Sequence, residues 1–138
     1  MNLSFRVHAP IAFVYSYLAD LDKFASVHPV IDQIELIEKN KFIVHETLSL
    51  SLFSFSFTYP VQVIERIENK KIHLQATVFQ LVRINMCFKL TDELTYISVK
   101  EEITLQTWVP VQQLMYTLFK KMHHQLMQNI EQAYNLEN

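Results

Sequence analysis

The sequence predicts an α+β fold in which a seven-stranded, curved antiparallel sheet wraps around a long C-terminal helix, with two short helices between strands 1 and 2. Three observations predict it. Apolar and polar residues alternate with few breaks from Ile31 to about Thr107, the period of a sheet with one buried and one solvated face. From about Val111 to Leu136 the apolar residues recur every three, four or seven positions, as on one face of a helix. Ahead of both, the stretch from Ser4 to Ile31 places one strand and then two short apolar segments bounded by prolines.

Taken in order, Asn2 to Val7 alternates as a short strand. Ala9-Pro10 opens a helix, because proline at the first turn gives up an N–H that would have no partner. That helix runs to about Asp20. A second runs from Leu21 to about Ser26 and stops before Pro29, whose ring pushes His28 out of the helical region. Beyond Ile31 three polar clusters read as hairpin tips: Glu38 to Lys41, Glu68 to Lys71, and Thr91-Asp92-Glu93. The intervals between them are two strands long, so each hides another reversal, near Ser51 to Ser54 and near Phe79 to Leu81. In a meander alternate turns lie at opposite ends. The polar tips therefore share one end, and Leu50, Leu52, Phe53, Phe79, Leu81, Trp108 and Val109 gather at the other as an apolar rim. His28-Pro29 should lie at the same rim.

Strand parity then sorts the faces. Phe42, Val44, Glu46 and Leu48 point inward, as do Phe55, Phe57, Tyr59 and Val61; Leu74, Ala76 and Val78; Ile84, Met86 and Phe88; and Ile97, Val99, Glu101 and Ile103. On the helix, Val111, Leu114, Met115, Leu118, Phe119, Met122, Leu126, Ile130 and Ala133 form the face that must be covered. Tyr116, His123, Met127 and Tyr134 widen it. Sheet and helix then enclose a cavity.

Composition bounds the function. A chain of 138 residues predicts a single domain, 1–138. Half of it is hydrophobic and 19% is charged, more apolar surface than a small core needs. A net charge of −2 with no clustered Lys or Arg excludes nucleic acid as partner. There is no glycine, so no phosphate-cradling loop or nucleotide fingerprint exists, and no cofactor is expected. Cys87 is alone, and neither a signal segment nor an apolar run of about 20 residues is present. The expectation is a cytoplasmic protein.

The order of elements resembles the helix-grip superfamily, which includes START lipid-transfer domains, the birch pollen allergen and the polyketide cyclase/dehydrase-like proteins. Its most specific local piece is Phe5-Arg6-Val7-His8-Ala9-Pro10 leading into Val14, Leu18, Asp20 and His28-Pro29. The glycine-rich hairpin of the plant branch has no counterpart, so the polyketide cyclase/dehydrase-like branch is the nearer one. The resemblance implies a hydrophobic ligand held between sheet and helix, and in some members cyclisation or dehydration of polyketides.

Candidate site residues follow from parity and that implied cavity. The ligand-binding set is Val44, Glu46, Phe55, Phe57, Tyr59, Ile84, Met86, Phe88, Val99, Glu101, Met115, Leu118 and Met122; the cavity mouth is His28, Leu52, Phe53, Phe79, Leu81 and Trp108. Glu46 and Glu101 are the two candidate catalytic groups. Either they are carboxylates in an apolar cavity, made weaker acids by burial, or a water, a register change or a rim position keeps them solvated. The aromatic stripe from Phe53 to Tyr59 is ligand wall, plain core, or both. His28 is a proton carrier or ligand contact at the mouth, or a loop residue positioned by Pro29. His123-His124 makes no chelate, since neighbouring helical side chains diverge by about 100°, and no metal is expected. His45 and Glu46 lie on opposite faces, and no nucleophile motif is present.

Three functions compete. The first is binding of a small hydrophobic molecule such as a lipid, polyketide or related metabolite. The second is a cyclase/dehydrase-type enzyme using the cavity carboxylates as general acid and base. The third is a non-catalytic domain that associates through its apolar rim. The rim itself implies a homodimer or a weak membrane-surface contact, unless its tips fold over and close the cavity.

Overall fold

The computed structural model describes residues 1–138 except the side chain of Leu50, so the assignment of Leu50 to the rim lies outside the described residues. The elements are β1 (Asn2–Val7), α1 (Ile11–Ala19), α2 (Leu21–Val27), β2 (Ile31–Glu38), β3 (Lys41–Leu50), β4 (Phe53–Ile67), β5 (Lys71–Val78), β6 (Val82–Asp92), β7 (Ile97–Gln106) and α3 (Gln112–Glu137). All seven strands join one antiparallel sheet in the order β1-β7-β6-β5-β4-β3-β2. Register slips between Val63 and Glu65 in β4, and at two places in β2, insert bulges that bend the sheet around α3.

Local chemistry accounts for the entrances. Pro10 is extended and caps α1, while the Asp20 carboxylate accepts hydrogen bonds from the backbone N–H of Asp22 (3.0 Å) and Lys23 (3.3 Å) at the start of α2. His28, extended, ends α2. The third polar turn differs from its expected place. β6 continues through Asp92, and the reversal falls on Glu93 to Tyr96, because the Asp92 carboxylate accepts from Leu94 N–H (2.9 Å) and starts the turn two residues later.

Without glycine, six other residues take left-handed backbone: Asn40, Ser51, Asn69, Phe79, Gln80 and Leu94. Asparagine tolerates this, but Phe79 (φ 55°) and Gln80 (φ 57°) are consecutive, a pairing that hairpins normally fill with Asn-Gly. Gln80→Gly should therefore raise stability by about 0.5–1 kcal/mol, the left-handed penalty less the added freedom of the unfolded chain. A urea midpoint that stays put or falls would show that the turn stores no strain.

The core has two parts. Toward the polar turns, Val7, Val14, Leu18, Ile72, Phe88, Val99, Leu126 and Ile130 are fully buried where β1, α1 and the second half of α3 meet. Toward the apolar rim a smaller cluster joins Val78, Val82, Ile84, Ile103, Leu105 and Phe119. Asn129 ties α3 to the end of α2 by donating to Val27 C=O (2.8 Å). Among the described residues no helix is long and apolar enough to cross a membrane.

Candidate ligand cavity

The two core clusters leave a cavity of about 390 Å³ between them. Its walls are the inward-facing residues of β2 to β6, the apolar side of α2, and the first three turns of α3. A void of that size fits a small-molecule site, for which roughly 300–1,000 Å³ is usual. A second groove beside α1, about 620 Å³ and lined by Tyr15, Asp20 and Arg66 among others, is larger but more open to solvent and has a greater polar share in its lining.

Most expected ligand contacts do line the cavity: Val44, Glu46, Phe55, Phe57, Tyr59, Ile84, Met86, Met115, Leu118 and Met122, together with His28, Phe79 and Leu81. Phe88, Val99 and Glu101 do not. Phe88 and Val99 point inward as parity requires, but they sit deeper, in the fully buried core beyond the cavity. Glu101 lies behind His123 and is covered by it. Leu52 (96% exposed), Phe53 and Trp108 (81% exposed) stand out from the rim without lining the cavity. The opening is marked instead by lining residues that are themselves exposed, namely Phe55, Phe79, Leu81 and Leu114. The Phe57 and Phe79 rings, 5.1 Å apart, join the β4 wall to the β5–β6 tip across it.

Four polar side chains line an otherwise apolar and aromatic enclosure: His28, Glu46, Tyr59 and His123. The Tyr59 hydroxyl donates to Glu46 Oε1 at 2.9 Å. Burial pushes the Glu46 carboxyl above the usual carboxylate range, and the Tyr59 hydrogen bond and nearby His123 offset part of that rise. Tyr59 itself is held well above the ordinary phenol range, chiefly by burial and then by the Glu46 carboxylate. Neither Glu46 nor Glu101 is solvated; they are 8% and 1% exposed.

On the opposite wall His123, 1% exposed, places Nδ1 2.7 Å from Glu101 Oε1. Glu101 Oε2 lies at the same distance from that nitrogen but takes no hydrogen bond of its own. The His28 and His123 rings meet edge to face at 5.9 Å. His28 Nδ1 accepts from Val30 N–H (3.3 Å), which assigns the proton of the neutral ring to Nε2. Burial, and secondarily His123, lower the His28 pKa to about 3. Its ring is therefore neutral at physiological pH. Among the described residues no three His, Cys, Asp or Glu side chains are grouped to hold a metal ion.

His123 is the cavity residue that sequence reasoning placed only at the margin of the helix face. Its signal was present: it lies four residues after Phe119 and three before Leu126, within the apolar stripe.

Residues 7–131 match the family described as polyketide cyclase / dehydrase and lipid transport. No protein of curated function matches the chain in sequence. Among solved structures, a conserved protein from Geobacillus kaustophilus superposes with a TM-score of 0.80 at 13% identity, covering 97% of this chain and 93% of that one. The protein Ara h 8.0201 does so with a TM-score of 0.77 at 16% identity, over 100% of this chain and 97% of its own. The di-domain ARO/CYC StfQ of the steffimycin biosynthetic pathway matches at 0.77 and 12% identity, over 99% of this chain and 50% of that one. At such identities the likeness establishes the fold.

Proposed function

The chain belongs to the polyketide cyclase / dehydrase and lipid transport family, and on that premise we propose that residues 1–138 act as one domain that binds a small hydrophobic molecule between sheet and α3. The observation that carries the reading is the cavity of about 390 Å³, whose lining is apolar or aromatic apart from four polar side chains. Phe55, Phe57, Met86, Leu118 and Met122 supply the apolar contact. Glu46 with Tyr59, and His28 with His123, orient the ligand's polar end. The rim is the entrance, and its exposed Leu52, Phe53 and Trp108 meet a second copy or a membrane surface while ligand passes. The lone Cys87 fits a cytoplasmic setting.

Native mass spectrometry of protein purified from its own host tests this directly. A retained apolar molecule of constant mass, lost on filling the cavity with Ala76→Trp, is the expected result. The same spectrum reads the monomer-to-dimer ratio at the rim. A cavity that accepts no apolar molecule even when the folded protein is soaked with a panel of lipids and polyphenols would overturn the reading.

A second reading, acid/base chemistry on a bound polyketide, is favoured by one specific observation. His123 is held by a carboxylate and lines the same cavity as Glu46, an arrangement that suits a general base or acid. In that reading His123, not Glu101, faces the substrate. Conversion of a linear poly-β-ketone thioester by the wild type and its loss in His123→Gln would select it; unchanged substrate would select binding alone.

A further inference from the structure

The cavity contains an electrostatic restriction on what it can hold. Among the described residues neither Lys nor Arg lines it. The two imidazoles do not replace them. His28 takes the Val30 N–H on Nδ1, a geometry available only to the neutral ring, and any charge on His123 is already balanced by Glu101 at 2.7 Å. Every other ionisable group lining the space is acidic, Glu46 from β3 and Tyr59 from β4, and Asp32 on the solvated outer side of β2 adds a negative field at Glu46. A carboxylate or phosphate taken in would lose its hydration and meet no counter-charge.

The polar groups that remain suit a hydroxyl. The neutral His28 ring carries its proton on Nε2 and can donate it. Glu46 keeps one oxygen not engaged by Tyr59 and can accept. An alcohol or phenol uses both a donor and an acceptor without bringing charge.

We propose that the cavity selects ligands whose buried polar end is an uncharged hydroxyl, and rejects carboxylates and phosphates on the same apolar body. This rests on the binding function proposed above and adds the chemical class of ligand. An acid enters only as its neutral form. With a carboxyl pKa of roughly 4.5 in water, its apparent affinity falls about tenfold per pH unit above that value, ~100-fold between pH 5.5 and 7.5.

The test is displacement of Nile red, a neutral dye, by decanol and decanoic acid across pH 5.5 to 7.5. Decanol should displace the dye with a constant that stays flat, while decanoic acid weakens about 100-fold over the range. Glu46→Gln should keep the alcohol-over-acid preference, because the missing cation and not repulsion by Glu46 sets it. Acid binding as tightly as decanol at pH 7.5, or a preference abolished by Glu46→Gln, overturns the selectivity while leaving cavity binding intact. Failure of the dye and of both chains to bind overturns the binding function itself, and the selectivity with it.

Discussion

His123→Leu is expected to destabilise the protein by about 3–5 kcal/mol, because it leaves the Glu101 carboxyl buried at 1% exposure with neither oxygen paired. The loss belongs to the carboxyl left behind more than to the contact removed. Two apolar side chains of similar volume in place of the pair should fit, since Phe88 and Phe119 already pack their rings about 6.0 and 5.6 Å from His123. The double variant Glu101→Met with His123→Leu should then recover most of the deficit and fall within about 1–2 kcal/mol of the wild type. Urea unfolding of the four proteins of the cycle measures this. A single His123→Leu cost below about 1 kcal/mol would mean that Glu101 finds water or another donor, and the buried pair would lose its place in the description of the site. Recovery in the double variant carries a functional corollary. A pair that an apolar couple can replace without loss is not required for folding, and its place on the cavity wall is then explained by what it offers a ligand.

The order of elements was legible because β2 to β7 alternate almost without interruption and the only long helical period follows them. The face of each residue was legible too, since a period of two leaves a strand no third choice. Depth was not. Met86 and Phe88 share a face and lie two residues, roughly 7 Å, apart, yet one lines the cavity and the other is sealed in the core, because the N-terminal helices and β1 fill only one end of the sheet. Glu101 shows the same limit in another form. Parity turned it inward correctly, but its partner comes from α3, 22 residues away, and that contact removes it from the cavity. The tips defeat parity altogether. At reversals of two or three residues the side chains leave the pleat, so Phe79 and Leu81 turn over the cavity while Leu52, and Phe53 at the start of β4, project outward. His123 was visible in the helical stripe, and only the Glu101 contact turns it from a core histidine into an oriented one.

Acid should unfold this protein earlier than its carboxylates alone would dictate, and His28 is the reason. The folded state holds its ring neutral down to about pH 3, whereas the unfolded chain takes up a proton near the ordinary value of 6.5. The unfolded state therefore binds more protons throughout that interval. The stabilisation is fully present above pH 6.5 and is lost at about 1.4 kcal/mol per pH unit as pH falls toward 3. Glu46 works in the opposite sense, since its raised pKa makes the folded state the better proton binder over the interval just above the ordinary carboxylate value. Subtraction separates the two. His28→Gln retains a polar side chain at the end of α2 but cannot titrate, so between pH 6.5 and 4.5 the wild type should lose about 2–3 kcal/mol more than the variant. Parallel pH profiles for the two proteins would show that His28 is solvated enough to charge in place. The geometry argues otherwise, because a protonated Nδ1 would face the Val30 N–H, a donor against a donor. The same arrangement links stability to recognition: the backbone partner keeps the His28 ring neutral, with its proton on Nε2, over the pH range in which the proposed preference for an alcohol over an acid is read.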